Sequence, residues 1–367
     1  MKRAVFLFLL CGASCAQKEP APAVAAKKPA PKAPAVVAAS VLSAAAPSAA
    51  PDPEYVRADE MLDTWDGDGA KVDEARAIAM KMLAGNTAYA PAYVILARCE
   101  LDGAYMYGNE WDLAGTTRAR KFADHALKLD PANVDAMLVS AKSWLALHDY
   151  DASLHVLDDV DAARPGNPEA KGFRVVIDLE TGKYKEGVAL AKEVVASPDA
   201  RTMTKWSAYS DIAWIEEALG YKDGADDANR AAIALAPNSA WGHGNYSHFL
   251  LKRGDIDGAI TEGERAVKLK PYPLGLETLA RAYIAKASAL FDARQYRDAG
   301  GYVEKALALA GNNARTNLAA GMFYAAAYNR SRDHALKDRA IAAFKKTLDL
   351  DPGNGLAEKQ LEELNKT

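Results

Sequence analysis

From Pro53 onward, small and apolar positions return at one spacing with polar residues between them. The pattern is clear in RARKFADHALKLDP ending at Pro131, KDGADDANRAAIALAP at Pro237, GAITEGERAVKLKP at Pro271 and RAIAAFKKTLDLDP at Pro352. Within each segment the apolar residues share one face of a helix, and the proline that follows stops it. Stops at Pro131, Pro165, Asp199, Pro237, Pro271, Gly311 and Pro352 are separated by 34, 34, 38, 34, 40 and 41 residues. Twelve residues before each stop stand Ala119, Ser153, Gly187, Ala225, Ala259, Ala299 and Ala340. Five before stand Ala126, Val160, Val194, Ala232, Ala266, Ala306 and Thr347. A small side chain in the first column lets two helix backbones approach closely, and the second column packs the following helix. The pattern predicts about eight helix pairs from Pro53 to Asp351. A polar closing helix from Asn354 to Lys366 follows, with Leu356, Leu361 and Leu364 positioned to cover the last pair.

A unit of 34 residues closed by a late proline resembles the tetratricopeptide repeat. Tyr150, Tyr184 and Tyr296, fifteen before their stops, match the aromatic at the turn into the second helix, where Lys222 and Ile256 depart from it. First-helix signatures are visible in Tyr93, Leu96 and Ala97, in Tyr209, Ile212 and Ala213, and in Ala320-Gly321 with Tyr324; the repeats near Met137 and Lys171 deviate. The resemblance implies an all-α fold, a right-handed α-solenoid over residues 53–367 of about eight such helix pairs plus a C-terminal capping helix. It also implies that the second, fifth and ninth positions of each first helix line a groove for a partner protein. The ninth positions are Arg98, Lys142, Val176, Trp214 and His248; Val94, Asp135, Leu138, Ser207, Ser210, Trp241 and Gly244 occupy second and fifth positions. Arg98, Lys142, Val176, Ser210, Trp214, Trp241 and His248 are the expected partner-binding set, cationic toward the amino end and aromatic in the middle. Chaperone-type members grip a terminal carboxylate with Lys and Asn at fifth and ninth positions. Val94, Leu138, Gly172, Ser210 and Gly244 do not supply that clamp.

Two intervals of this body break the pattern. The stretch from Gly103 to Thr117 is irregular and carries Tyr105, Met106, Tyr107 and Trp111, read as a loop that folds back onto its own first helix. The alternative is a partner contact through Tyr105, Tyr107 and Trp111, because exposed Tyr and Trp anchor interfaces. Asp66-Gly67-Asp68-Gly69 has the start of a calcium loop, but Ala70 and Ala77 stand where later oxygen ligands are needed, so it reads as an interhelical turn.

The amino end has a different composition. Lys2 and Arg3 precede an apolar run from Ala4 to Leu10 that is too short to span a bilayer permanently, the order of a bacterial export signal. Gly12-Ala13-Ser14-Cys15 resembles a lipoprotein cleavage box, with Gly12 where leucine is usual, which implies lipidation at Cys15. Simple secretion is the alternative, since Ser14 and Ala16 also fit a small-x-small cleavage site. Residues 1–15 are thus the expected signal and lipobox, and 16–52, almost wholly Ala, Pro, Lys, Val and Ser, the expected disordered linker. An extended polyproline chain of that length reaches roughly 110 Å. By resemblance to Gram-negative lipoproteins, Ala16 after the cysteine favours the outer membrane, with the folded part facing the periplasm.

Charge and chemistry narrow the function. Six of the 45 basic and two of the 49 acidic groups fall in residues 1–52, which leaves 39 basic against 47 acidic in the remainder, about −8 net. That balance argues against nucleic acid, whose phosphates call for a cationic stripe. Beyond Cys11 and Cys15 the chain keeps Cys99, read as a small core residue. His243 and His248 stand five apart, which turns them away from each other on a helix, and no phosphate loop, nucleophile elbow or zinc pattern appears. No cofactor or metal is expected. The expectation is a non-enzymatic scaffold or adaptor, exported and lipid-anchored, that binds an extended segment or helix of an envelope protein. A periplasmic carrier of a small molecule or lipid is the alternative, and an enzyme comes last.

Overall fold

The computed structural model describes residues 52–366 apart from Asp66, Asp68, Gly108 and Asn109, and the side chains from 106 to 110 are likewise outside the description. Cys15, the expected signal segment and the expected linker up to residue 51 lie outside the described residues, as do the two aspartates of the calcium-like turn.

The described chain falls into two units divided between Pro237 and Asn238. In the first, helices pack in consecutive pairs: α1 (Pro53–Asp63) with α2 (Gly69–Gly85), α3 (Ala90–Ala104) with α4 (Leu113–Leu129), α5 (Val134–Ala146) with α6 (Tyr150–Ala163), α7 (Pro168–Glu180) with α8 (Tyr184–Ala196), and α9 (Thr202–Ala218) with α10 (Lys222–Leu235). In the second the pairs are α11 (Ala240–Arg253) with α12 (Ile256–Leu269), α13 (Pro273–Asp292) with α14 (Tyr296–Ala310), and α15 (Ala314–Ser331) with α16 (His334–Leu350), closed by α17 (Gly355–Asn365). The eight pairs and the closing helix are those the spacing predicts.

Local chemistry explains where each helix starts. Asn133, Asn167, Ser239, Asn313 and Asn354 each accept a hydrogen bond from the amide three residues on, at 2.9–3.1 Å. These caps satisfy amides that have no partner within the first turn. Pro53, Pro168 and Pro273 occupy first positions, where the missing N–H is of no consequence. The turn inside five of the pairs uses one left-handed residue, at His148, Gly182, Gly220, Gly254 and Arg294, always seventeen before the stop.

The two small columns form the contact between paired helices. Ala119, Ser153, Ala225, Ala259, Ala299 and Ala340, with all seven members of the second column, are at most 2% exposed. Where the column is glycine the helices meet still more closely: a Cβ on Gly187 would lie 3.2 Å from Asp178 Cβ on the paired α7, and 3.1 Å from Ile215 Cδ1 on the following α9. Long side chains at these positions would push the axes apart and expose the apolar surface the pair buries.

Two expectations need correction. The irregular segment is not a plain loop: Tyr105–Tyr107 (β1) and Glu110–Trp111 (β2) form a short antiparallel hairpin. Tyr105 sets its ring 6.2 Å from Trp65 and 5.3 Å from Trp111, and Trp111 packs against the cores around α3 and α5. In the closing helix, Leu364 is buried and Leu361 packs on the last pair, whereas Leu356, near its start, is 39% exposed. Ala357 takes the inward place instead.

Two glycines test the close-packing account with opposite signs. A Cβ on Gly321 would meet the ring of the fully buried Phe344 at 2.7 Å, whereas one on Gly301 meets nothing within 4 Å. Gly321→Val is expected to destabilise the protein by about 1–3 kcal/mol, and Gly301→Ala to stabilise it by about 0.5–1 kcal/mol. Urea unfolding midpoints measure both, and an unshifted midpoint for Gly321→Val contradicts the packing.

Candidate functional site

In the first unit each first helix lies beside the next, α1 by α3, α3 by α5, α5 by α7 and α7 by α9, while each second helix packs mainly on its own partner and the following first helix. The first helices therefore share one face, and that face carries a network of part-buried charge. Arg98 on α3 pairs with Asp59 and, at 2.7 Å, with Asp63, both on α1. Arg201, at the start of α9, reaches back 138 residues to both oxygens of Asp63 at 2.8 Å, to Asp59 at 3.3 Å and to Glu169 of α7 at 3.6 Å. Lys142 on α5 lies 3.6 Å from Asp102 of α3, and Tyr55 donates to Asp135 Oδ2 at 3.0 Å.

This network ties the first five pairs together across the shared face. Ions removed from water are tolerated only when paired, and here the pairing comes from the chain itself. Burial by itself pushes the Arg98 guanidinium down, but Asp59, Asp63 and Asp102 outweigh it and raise it further above its usual range. Burial raises the carboxyls of Asp59 and Asp102 in spite of their cationic neighbours. Two expected groove residues, Arg98 and Lys142, are thus engaged in ion pairs within the chain.

Further along the same face the chemistry changes. Val176 on α7 packs against the core between α5 and α7. Ser210 donates to the Trp206 carbonyl at 3.1 Å, and Trp214 is 38% exposed. Ser207, Asp211 and Trp214 follow one another at four and three residues, one stripe of α9. Asp211 in that stripe is only 8% exposed, and its Oδ2 has no hydrogen-bond partner. Burial, reinforced by the carboxylate of Glu180 at the end of α7, pushes its carboxyl up to about 8.

In the second unit, α11 carries Trp241 and His248, both half-buried. Burial, then the positive charges of Arg281 and Lys252, hold the His248 imidazole down to about 4, so it is neutral at physiological pH. Gly244 is glycine because the Tyr272 hydroxyl sits over it, where a Cβ would be 1.8 Å away. His243, on the opposite side of the helix, is buried between Glu262 Oε2 at 2.6 Å and Arg265 Nε, which donates to His243 Nε2 at 3.1 Å. That bond leaves the proton on Nδ1, facing Glu262.

Cys99 is buried in the core of α1, α2 and α3, where burial pushes its thiol up to about 12. Among the described residues no group of three His, Cys, Asp or Glu is placed to hold a metal ion, and no helix is long and apolar enough to cross a membrane.

The comparisons with known proteins bear on the repeat. Residues 116–177, from α4 through α7, match the family model described as tetratricopeptide repeat. That stretch carries the tetratricopeptide repeat. No curated protein matches it in sequence. Its fold is similar to that of the crystal structure of the APC/C hetero-tetramer Cut9–Hcn1, at a TM-score of 0.54 and 14% identity over 80% of this chain. It is also similar to the human IFIT1 dimer with PPP-AAAA, at a TM-score of 0.57 and 12% identity over 86% of this chain and 73% of that one. The chain spans about half the length of the Cut9–Hcn1 chain it matches, 52% of it. At such identities the likeness is one of fold.

Sequence reasoning passed over Arg201, Asp59, Asp63 and Asp211. Arg201 precedes its helix and meets partners far away in sequence, and no local spacing signals that. Asp211 sits among core positions, between Ser210 and Ile212, and its helical phase was the available sign.

Removing one member of the ion network leaves its partners uncompensated. Arg98→Met is expected to destabilise the first unit by about 3–5 kcal/mol, and the more exposed Arg201→Met by about 1 kcal/mol or less. Denaturant unfolding decides, and equal losses would contradict the network's depth. Asp211 gives a pH dependence. Its raised folded value means that its stabilising effect is complete below the ordinary carboxylate range and is lost as pH climbs toward about 8. Across that window stability is expected to fall by about 1.4 kcal/mol per pH unit from this group. Asp211→Asn should remove that component and be the more stable protein at pH 7, and a thermal melt series from pH 5 to 9 checks both.

Proposed function

We propose that the protein is a scaffold that holds a segment of a partner protein against the first-helix face around Trp214, and so assembles or localises an envelope complex. In this reading the chain is exported, anchored through lipid at Cys15 to the outer membrane, and suspended on the segment 16–52, which raises the local concentration of the folded units at the membrane surface. The observation that carries the reading is Trp214. A large aromatic side chain left 38% exposed on the face shared by the first helices is a typical anchor for a partner.

The surroundings support that role. The charges at the amino end of the face are taken up within the chain, so Arg98 and Lys142 hold the face in shape and the contact surface shifts toward Val176, Ser210 and Trp214. In the second unit Trp241 and the neutral His248 offer a contact of similar chemistry beside the cationic Arg281 and Lys252. Tyr105 packs on Trp65 and on Trp111 within the chain. The fold neighbour Cut9–Hcn1 is itself described as a hetero-tetramer.

Recovery of partners from envelope extract with the tagged full chain tests the groove. Trp214→Ala and Trp241→Ala together are expected to lower the recovered partner at least about tenfold, a loss of roughly 1.4 kcal/mol or more. Undiminished recovery, or a bound lipid with no protein, would refute it. For the anchor, Cys15→Ser is expected to move the protein from the membrane to the soluble fraction and to abolish acyl labelling; an unchanged membrane fraction would count against lipidation.

A further inference from the structure

We infer that Asp211, with Glu180 beside it and Trp214 on the same stripe of α9, is the receptor for a cationic side chain of the partner segment, a lysine ammonium or an arginine guanidinium. The inference rests on the groove reading above and gives the partner its chemistry.

The comparison is with the other acids of the same face. Asp59 and Asp63 are paired with Arg98 and Arg201, Asp102 with Lys142, Asp135 with Tyr55, and Glu169 with Arg201 and Thr204. Each of these is answered from within the chain. Asp211 is more than nine-tenths buried, its Oδ2 has no partner, and the charged group acting on it is another acid, Glu180. A buried carboxyl so placed loses its hydration without compensation, a free-energy penalty that a purely structural position would avoid by carrying Asn or Leu.

The elements packed on α9 do not supply the missing cation. Lys192 of α8 turns to Glu216, at 3.4 Å, and Arg230 of α10 closes on its own Asp226 at 2.9 Å. From α7 comes Glu180, which adds negative charge. The chain beyond residue 52 is also about −8 net, which draws basic partners. Trp214 completes the arrangement, because an indole face attracts a cation and shields it from water.

The proton balance follows. Without a partner the Asp211 carboxyl is held protonated up to about pH 8. A cation entering beside it favours the carboxylate, so binding expels the proton to solvent and the new ion pair takes its place. Affinity therefore rises by up to about tenfold per pH unit between pH 6 and 8 and levels off above.

Amide proton and indole NMR on the full chain tests this, with N-acetyl-lysine amide and N-acetyl-arginine amide as probes and N-acetyl-norleucine amide as the neutral control. The cationic probes are expected to shift the Trp214 indole resonance, the neutral one to leave it, and Asp211→Asn, its fold checked by circular dichroism, to abolish the shift. The half-saturation concentration should fall as pH rises from 6 to 8. Equal shifts with norleucine, a response that survives Asp211→Asn, or a pH-independent affinity would overturn the inference. The two readings separate cleanly. Partner recovery that is lost in Trp214→Ala but intact in Asp211→Asn defeats the cation receptor and leaves the scaffold standing. Probe binding at Asp211 without any recovered partner does the reverse.

Discussion

The distance between paired helices is the constraint on which the rest of the structure depends. That distance is set by two columns of side chains no larger than valine, from Ala119 and Ala126 in the second pair to Ala340 and Thr347 in the eighth. Alanine in a helix interior has no rotamer entropy to lose and permits close approach, so each pair gains dispersion contacts along its length at little conformational expense. Neighbouring pairs then complete the burial that one pair alone cannot achieve, which is why the pattern has to repeat. Gly187 and Gly321 carry the rule to its limit, with Asp178 and Phe344 of the paired helices close to where a Cβ would stand.

From that packing follows a division of labour between the two kinds of helix. Second helices bury their small columns and turn polar residues to water; first helices are enclosed on two sides and present what remains to a common face. In the first unit this face is too crowded for hydrated ions, and the chain responds by pairing them: Arg98 and Arg201 converge on Asp59 and Asp63 from helices far apart in sequence. The pairing fixes how tightly α1, α3, α7 and α9 are drawn together. Beyond it, on α9, Trp214 is left 38% exposed and the buried Asp211 has an oxygen without a hydrogen-bond partner. Structure and chemistry thus change together along one surface, from self-satisfied ions to groups that a partner can complete.

Much of the fold was legible because its determinants are local and periodic. The stops and the small columns each act within a few residues of where they stand. The hairpin at Tyr105–Trp111 escaped, since three residues paired with two carry no alternation long enough to read. His148 and Arg294, left-handed where three other repeats place glycine, also give no sign, because the turn imposes a conformation their side chains do not favour. At the site the helical phase placed Trp214 on the shared face but said nothing of Arg201, whose partners lie 138 residues away. Arg98 and Lys142 read as partner-binding groove cations for the same reason: the acids that engage them belong to other helices. Periodicity reports which face a residue occupies, and contacts between repeats decide whether it is still available there.

A photo-crosslinking amino acid placed at position 214, and in a second strain at Lys185 on the exposed side of α8, tests the central claim most directly in cells that make the full chain. The account predicts a discrete protein adduct from position 214 and none from 185. An adduct from 185 alone, or none from either position, would contradict it.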